Sequence, residues 1–398
     1  MSANLGVPSA FMRHGHDGSD LQSRYLEAVD RLEELEEHAR EVGFDLFGVA
    51  PAAPPLEGAR FEAWLDKGHH ADMAWLERNR ERILDPRLTL PEARSVVVLG
   101  FAHSRAPVEL PGGGRVARYA AGRDYHNVMG RMLRKLMKRL SAAGFTGPAR
   151  QIVDAGPLLE RSHAAQAGLG FQSKAANLLH PEFGPWFFLS ELLIAEELEP
   201  TTAAPHGSCG TCTACIDACP TGALLEPGVL DSARCISYQT IENKGPIPPE
   251  LHEEIGEWVF GCDVCSEVCP WGKDAPDLSE RFGLHASLKD RPLITWLEDP
   301  LPFKERYEGS PLQRPKRAGL ARNAAIVLGN TGGTEAQGVL LRALSFDPDA
   351  LVREAAGLSL ARAYGEDLDT QRALEQASTS DADPRVQGEL LAARERCD

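Results

Sequence analysis

No cysteine occurs in the first 208 residues of this 398-residue chain, so a disulfide framework running through that part of the fold is excluded. No apolar run reaches the roughly 18 residues that a membrane-spanning helix requires. The opening MSANLGVPSAFMRHGHDGSD also lacks the uninterrupted apolar core of a secretory signal. A cytoplasmic protein without membrane association is expected, with residues 1–20 as a flexible tail that carries no chemistry. No Gly-x-Gly-x-x-Gly stands at a strand-to-helix junction, which leaves a built-in nicotinamide or flavin Rossmann site without support and points to an external one-electron reductant. Basic residues are in short supply. The 42 Lys and Arg against 58 Asp and Glu give a formal charge of -16, which excludes whole-molecule attraction to nucleic acid and confines any RNA binding to local patches.

What is present divides into three parts. Residues 21–200 alternate helix-like stretches (SRYLEAVDRLEELEEHAREVG, VMGRMLRKLMKRLSAAG, ERSHAAQAG) with strand-like ones (DLFGVA, SVVVLGF, Gln151–Val153, Trp186–Ile194), the pattern of an α+β or α/β domain. Residues 201–285 hold eight of the nine cysteines in a Gly- and Pro-punctuated context, suited to short turns around a metal site. Residues 286–398 form a Pro-rich linker followed by weak self-similarity: RNAAIVLG at Arg322 echoes REAAGLSL at Arg353, and DADPRVQGELL echoes DPDALVREAAGL. Short HEAT-like helical repeats are expected there; Ala-rich helices without repeat relationship are the alternative. Cys397, alone near the C-terminus, reads as an unpaired thiol.

The segment CGTCTACIDACP sets Cys209, Cys212, Cys215 and Cys219 in the spacing C-x2-C-x2-C-x3-C, followed by Pro220. In that run three thiolates wrap one cubane while the fourth reaches another cluster. GCDVCSEVCP repeats the pattern with Cys262, Cys265 and Cys269 but has Val259 at the first position, and Cys235 is the substitute. Crossed ligation then assigns Cys209, Cys212, Cys215 and Cys269 to one 4Fe-4S cluster and Cys219, Cys235, Cys262 and Cys265 to a second. Zinc explains paired C-x2-C elements but not two C-x3-C-P tails.

Two further places can carry chemistry. Asp154 follows an apolar strand and precedes a Gly-Pro turn and a helix; it is either a turn or capping residue or, partly desolvated with a raised pKa, a proton donor steadied by Arg161. DYHNVMG, Asp124 to Gly130, comes near the D-x-H-x-x-G signature of cobalt-ligating proteins but is one residue too long. His126 therefore reads as a surface or substrate-contacting histidine. Basic residues cluster locally: Arg314, Lys316, Arg317 and Arg322 lie in a stretch free of acids between Glu308 and Glu335, and Arg131, Arg134, Lys135, Lys138 and Arg139 share one helix. Each suits either phosphate contact or a solvated face.

Taken together, ARYAAGRDYH, VDAGPLLER, GLGFQSKAANLLHPEFGPWFFLSEL, the eight-cysteine block and the trailing helices resemble the epoxyqueuosine reductase family over roughly residues 25–395. The resemblance implies an N-terminal cobalamin-binding domain, a ferredoxin-like two-cluster domain and C-terminal helical repeats. It further implies two 4Fe-4S clusters feeding cobalamin, and reduction of epoxyqueuosine at the wobble position of tRNA; a monomer is expected. Asp154 falls on the family's general acid. Arg82, Arg161, Ser237, Asp263 and Val264 fall on corrin-adjacent positions, and Lys244 on a tRNA contact. Ser173-Lys174-Ala175 departs from the Gly-Lys-Asn common in the family. A corrinoid reductive dehalogenase and a non-catalytic ferredoxin-like electron carrier are the competing classes; the former usually carries an export signal, and the latter needs no Asp154.

Overall fold

The computed structural model describes residues 18–103, 106–201, 207–278, 281, 283–299 and 301–397, with side chains from residue 30 to 395 within those ranges. Residues 1–17 of the tail expected over 1–20 and the side chain of Cys397 lie outside the described residues, while residues 18–20 already belong to the first helix, Gly18–Glu41.

A four-stranded sheet forms the heart of the N-terminal unit: β1 (Leu46–Pro51), β2 (Ser95–Ala102), β3 (Ala149–Ile152) and β4 (Phe187–Ile194), in the order β1-β2-β4-β3. Every residue of β2 is buried because helices cover both sides. On one face Val97, Leu99 and Phe101 join α1 (Gly18–Glu41) and α2 (Tyr125–Ala142). On the other face Val96 and Val98 pack with Ala164 of α3 (Glu160–Gln166). Each fully buried Val or Leu here contributes roughly 1.5–3 kcal/mol. All three strand pairings are antiparallel, so the unit is α+β. The α/β alternative is corrected, together with the rule placing sites at the carboxyl ends of parallel strands. A strand covered on both faces is apolar throughout whichever way its neighbours run, so hydrophobicity does not encode its direction.

The cysteine block is tied into this unit by the short strand Trp258–Phe260, which pairs in parallel with Arg115–Val116. Gly261, next in the chain, has φ +68°, and a Cβ there would stand 2.5 Å from that of Ala117. Only glycine permits the two segments to approach so closely.

Five helices follow: α4 (Lys316–Thr331), α5 (Thr334–Phe346), α6 (Ala350–Tyr364), α7 (Leu368–Ser380) and α8 (Pro384–Cys397). The echoing segments at Arg322 and Arg353 lie within α4 and α6, the one at Asp381 runs into α8, and α6 packs against both of the others. One buried apolar cluster runs from Val108 through Phe260 to Ala393, so the expected division at residues 285/286 falls inside a shared core.

Residues 319–329 of α4 are all buried, and that corrects one basic candidate. Arg322 is 1% exposed and donates to the carbonyls of Gln239, Asn243 and Gly245. Beside it, Asn323 donates to those of Thr240 and Val259. Arg322 docks the helical region onto the cysteine block and cannot reach a phosphate; in a helix buried on every side, an isolated Arg gives no sign of which face it occupies.

Arg322→Met should lower stability to urea by about 3 kcal/mol, because three buried carbonyls lose their donor. Arg131→Met, on the exposed face of α2, should stay within about 0.5 kcal/mol.

Candidate functional site

The eight cysteines of the block are free of disulfides, and the fold gathers them into two groups. Cys209, Cys212, Cys215 and Cys269 line one cavity with Ser173, Asn177 and Trp271, and Cys265 reaches its wall. On the other side Cys262 faces Cys265 and Cys235, and Cys235 faces Cys219. Proline after each last cysteine turns the chain away: Pro220 follows Cys219, and Pro270 opens a 3-10 turn after Cys269. Among the described residues no three His, Cys, Asp or Glu converge tightly enough for a single metal ion. Zinc would draw all four sulfurs to about 2.3 Å from one point, whereas a cubane spreads them over its corners.

Backbone amides already address the sulfurs: Lys174 N lies 3.5 Å from Cys209 Sγ, and Ala223 N lies 3.3 Å from Cys219 Sγ. Lys174 also donates through Nζ to the carbonyls of Gly210 and Cys212 at 2.8 and 2.9 Å. A cation and N–H donors beside a cluster raise its reduction potential. Sequence reading passed over this role for Lys174; its sole signal is that a lysine follows the GLGF turn.

The segment Ala117–His126 links the cysteines to Asp154. At its start, Arg118 is 8% exposed in its side chain and pairs with Asp263 at 3.2 Å and with Glu267, which Arg115 also engages. Next to it, Tyr119 packs on Phe260, Phe188 and Tyr125. At its end, Asp124 caps α2 by accepting from His126 N, and its Oδ1 lies 2.8 Å from His126 Nδ1.

Asp154 stands at φ +53°, uncommon for a non-glycine residue. Its side chain remains 44% exposed but is held on three sides. Tyr125 Oη donates at 2.5 Å, His126 Nε2 stands at 3.2 Å, and Arg314 Nη1 at 3.8 Å. Burial works to raise the Asp154 pKa, but hydrogen bonds from His126 and Tyr125, with the charges of His126 and Arg314, outweigh it and hold the carboxyl below its ordinary value. For His126 burial works the other way, yet its bonds to Asp124 and Asp154 and their negative charges push it up to about 9. Tyr125 is raised by burial and by the Asp154 charge and keeps its proton. The expected raised pKa at Asp154 is thus corrected: at neutral pH Asp154 is ionised and the mobile proton sits on His126. The sequence offered no sign of this pairing, because the partners lie 28 residues apart and meet only through the fold.

The remaining candidates separate. Arg314 bridges Asp154 and Glu242, the latter at 2.6 Å, and with exposed Lys316 it lines the cleft that holds Tyr119, Asp124, Tyr125 and His126. Lys244, exposed, donates to the carbonyls of Ile241 and Arg314. Arg317 is spent on an ion pair with Asp347. Exposed Arg161 donates to the carbonyl of Ala176, in the same loop as Lys174. Half-buried Ser237 lies two residues after Cys235, and its N–H faces the Cys235 sulfur. Asp263 is 7% exposed with its carboxylate taken by Arg118, which leaves the backbone at Asp263 and Val264 as what it can present. Arg82 is exposed on the short helix Arg80–Leu84 and lines neither cavity.

Two family models match the chain: "4Fe-4S double cluster binding domain" over residues 208–272 and "Epoxyqueuosine reductase QueG, DUF1730" over residues 84–155. Epoxyqueuosine reductase of Synechococcus sp. (strain CC9605) is 40% identical over 318 residues, 77% of this chain and 95% of the relative. That of Xanthomonas campestris pv. campestris is 39% identical over 337 residues, 81% and 94% of the two chains. Among solved structures, an epoxyqueuosine reductase with an epoxyqueuosine-modified tRNA-Tyr stem loop superposes with a TM-score of 0.82 at 29% identity, covering 92% of this chain and 99% of the other. The enzyme from Bacillus subtilis, with its catalytic aspartate loop swung out of the active site, gives 0.81 at 28% identity with the same coverage.

An NMR titration of the His126 ring should have its midpoint near 9 and fall toward the ordinary histidine value in Asp154→Asn. A midpoint unmoved by that substitution would show that Asp154 does not hold the proton there.

Proposed function

The chain belongs to the epoxyqueuosine reductase family, and from that premise we propose that it reduces epoxyqueuosine at the wobble position of tRNA to queuosine, with Asp154 as the group that hands protons to the departing oxygen. The reaction breaks both carbon–oxygen bonds of the oxirane, forms a carbon–carbon double bond and releases water. It consumes two electrons and two protons. The observation that carries the reading is the continuity of one segment: its first residues brace Asp263 beside the cysteines, and its last two, Tyr125 and His126, hold Asp154.

Cys209, Cys212, Cys215 and Cys269 would hold one 4Fe-4S cluster and Cys219, Cys235, Cys262 and Cys265 a second, and the pair would supply electrons drawn from an external one-electron donor. Lys174 and the amides that face the sulfurs tune these sites. The site would also take cobalamin with His126 engaged elsewhere, since both its ring nitrogens are occupied, by Asp124 and Asp154. Arg161, Ser237 and the backbone of Asp263 and Val264 would hold the corrin. When bound, it supplies a strongly reducing cobalt centre for opening the oxirane. Around it, His126 stores a proton at Nε2, Asp154 receives it and presents it to the leaving oxygen, and Tyr125 fixes the carboxylate's orientation. Arg314 balances the charge while Asp154 is ionised.

Lys316, Lys244 and Arg314 are the tRNA-facing cations, Arg317 being held by Asp347, and the exposed bases of α2 extend the patch. Helices α4 to α8 are read as HEAT-like pairs backing that surface. The described residues contain no helix long and apolar enough to cross a membrane; the protein is read as a cytoplasmic monomer working on tRNA. An electron carrier alone would give no reason for the three-sided hold on Asp154.

Anaerobic turnover of epoxyqueuosine-containing tRNA by cluster-loaded protein, followed by mass analysis of the nucleoside, should show cobalamin-dependent loss of one oxygen. Asp154→Asn should keep its clusters and lose about 10²- to 10⁴-fold in kcat; no loss of oxygen in the parent protein would overturn the assignment. Cys235→Ser should retain one cluster of the two by iron and sulfide analysis, and two intact clusters would break the crossed ligand sets.

A further inference from the structure

Behind Asp154 stand two further carboxyls, one wholly and one partly buried, that the reaction as described does not use. Glu191 comes from the middle of β4, opposite Val98 of β2 and Ile152 of β3, and is 0% exposed. Glu160, the first residue of α3, faces it across the gap between helix and sheet. Neither oxygen of Glu191, nor Oε1 of Glu160, has a hydrogen-bond partner so long as both groups are ionised. Buried polar groups are rarely left so, and two bare carboxylates side by side would repel in a medium that barely screens them. One proton removes both problems, because it turns one acceptor into a donor and makes a hydrogen bond between the two.

Several charged groups surround the pair. Asp154 lies near both, with its backbone N–H directed at the Glu160 carboxyl. Arg161, on the same helix as Glu160, is the cation that faces it and gives an N–H to the carbonyl of Ala176. On the far side of Asp154 stand His126 and Arg314. Burial, followed by the Asp154 charge, pushes Glu160 up to about 8. Burial and the charge of Glu160 carry Glu191 well above its ordinary value.

We infer that Glu160 and Glu191 form a carboxyl dyad sharing one proton at neutral pH, and that Glu160, through the Asp154 backbone N–H, is a positioning residue holding Asp154 in its left-handed turn. The dyad's functional role rests on the reductase reading given above; its shared proton does not. With one proton the dyad keeps a single negative charge behind Asp154. That charge favours transfer of the His126 proton onto the Asp154 carboxylate, the state required to protonate the leaving oxygen. Both Glu160 and Glu191 act through Asp154 and touch no substrate.

The test is infrared difference spectroscopy of the cluster-loaded full chain between pH 6 and pH 10. A protonated carboxylic acid band should persist at pH 7 and titrate away above it. The band should change frequency in Glu191→Gln and in Glu160→Gln, where the surviving carboxyl has lost the other oxygen of the shared proton, and persist at pH 7 in Asp154→Asn. Absence of any such band in the parent protein at pH 7 would overturn the dyad without recourse to a variant, and needs no turnover, so it is separable from failure of the reductase reading. In turnover, loss of the dyad's charge should lower the Asp154 pKa by about one unit, and kcat by about tenfold, with KM unchanged. A Glu160→Gln enzyme with parental kcat and pH profile would remove the positioning role.

Discussion

The carboxylate of Asp154 is held by a tyrosine, a histidine and an arginine from two distant parts of the chain, and the site exists only where those parts meet. Tyr125 and His126 sit at the start of α2, while Arg314 comes from just before α4. Each contact lowers the energy of the charged carboxylate and so opposes its protonation. The result is a stored proton on His126 next to an acceptor that can take it once negative charge develops in the cleft. Since Asp154 also occupies a left-handed backbone region, the surrounding packing must supply what the turn costs. The antiparallel sheet does this from below, with β3 leading directly into the turn and β4 placing Glu191 beneath it.

The same logic of shared segments ties the cysteine block to Asp154. Arg118 and Tyr119 belong to the cysteine side, Tyr125 and His126 to the Asp154 side, and only a few residues of chain separate them. The parallel pairing of Trp258–Phe260 with Arg115–Val116 fixes their depth, and Gly261 permits the close approach to Ala117. From the other side Arg322 and Asn323 of α4 bind the carbonyls of the cysteine block. The helical region is therefore part of what positions Arg314 in the cleft, whatever further contact it makes with tRNA.

How much of this could be read beforehand depended on how local the constraint was. Cysteine spacing is imposed by the corners of a cubane and by the proline after the last thiolate, so a two-cluster block was visible in the sequence between Cys209 and Cys269. The helices and the strands of the N-terminal unit were likewise near their expected positions, because amphipathic period and burial are local. Strand direction was not, since β2 is buried on both faces and carries no mark of how its neighbours run. The state of Asp154 was misjudged for a related reason: its neighbours by sequence suggest desolvation alone, while the groups that dominate its ionisation arrive from Tyr125, His126 and Arg314. Arg322 was taken for a surface base because its alanine-rich helix is buried all round and offers no polar face for comparison.

The central claim is that two clusters and one carboxylate serve a single two-electron site. It is tested most directly by a single turnover in which the cobalamin-loaded protein is fully reduced, freed of excess reductant and mixed with epoxyqueuosine-containing tRNA. Two one-electron clusters store what one oxirane consumes, so the account predicts product formation without added reductant by the parent protein and a matching loss of reduced-cluster signal. Asp154→Asn should hold its electrons and form no product. Equal product from Asp154→Asn, or cluster oxidation in the parent protein with no loss of oxygen from the nucleoside, would contradict it.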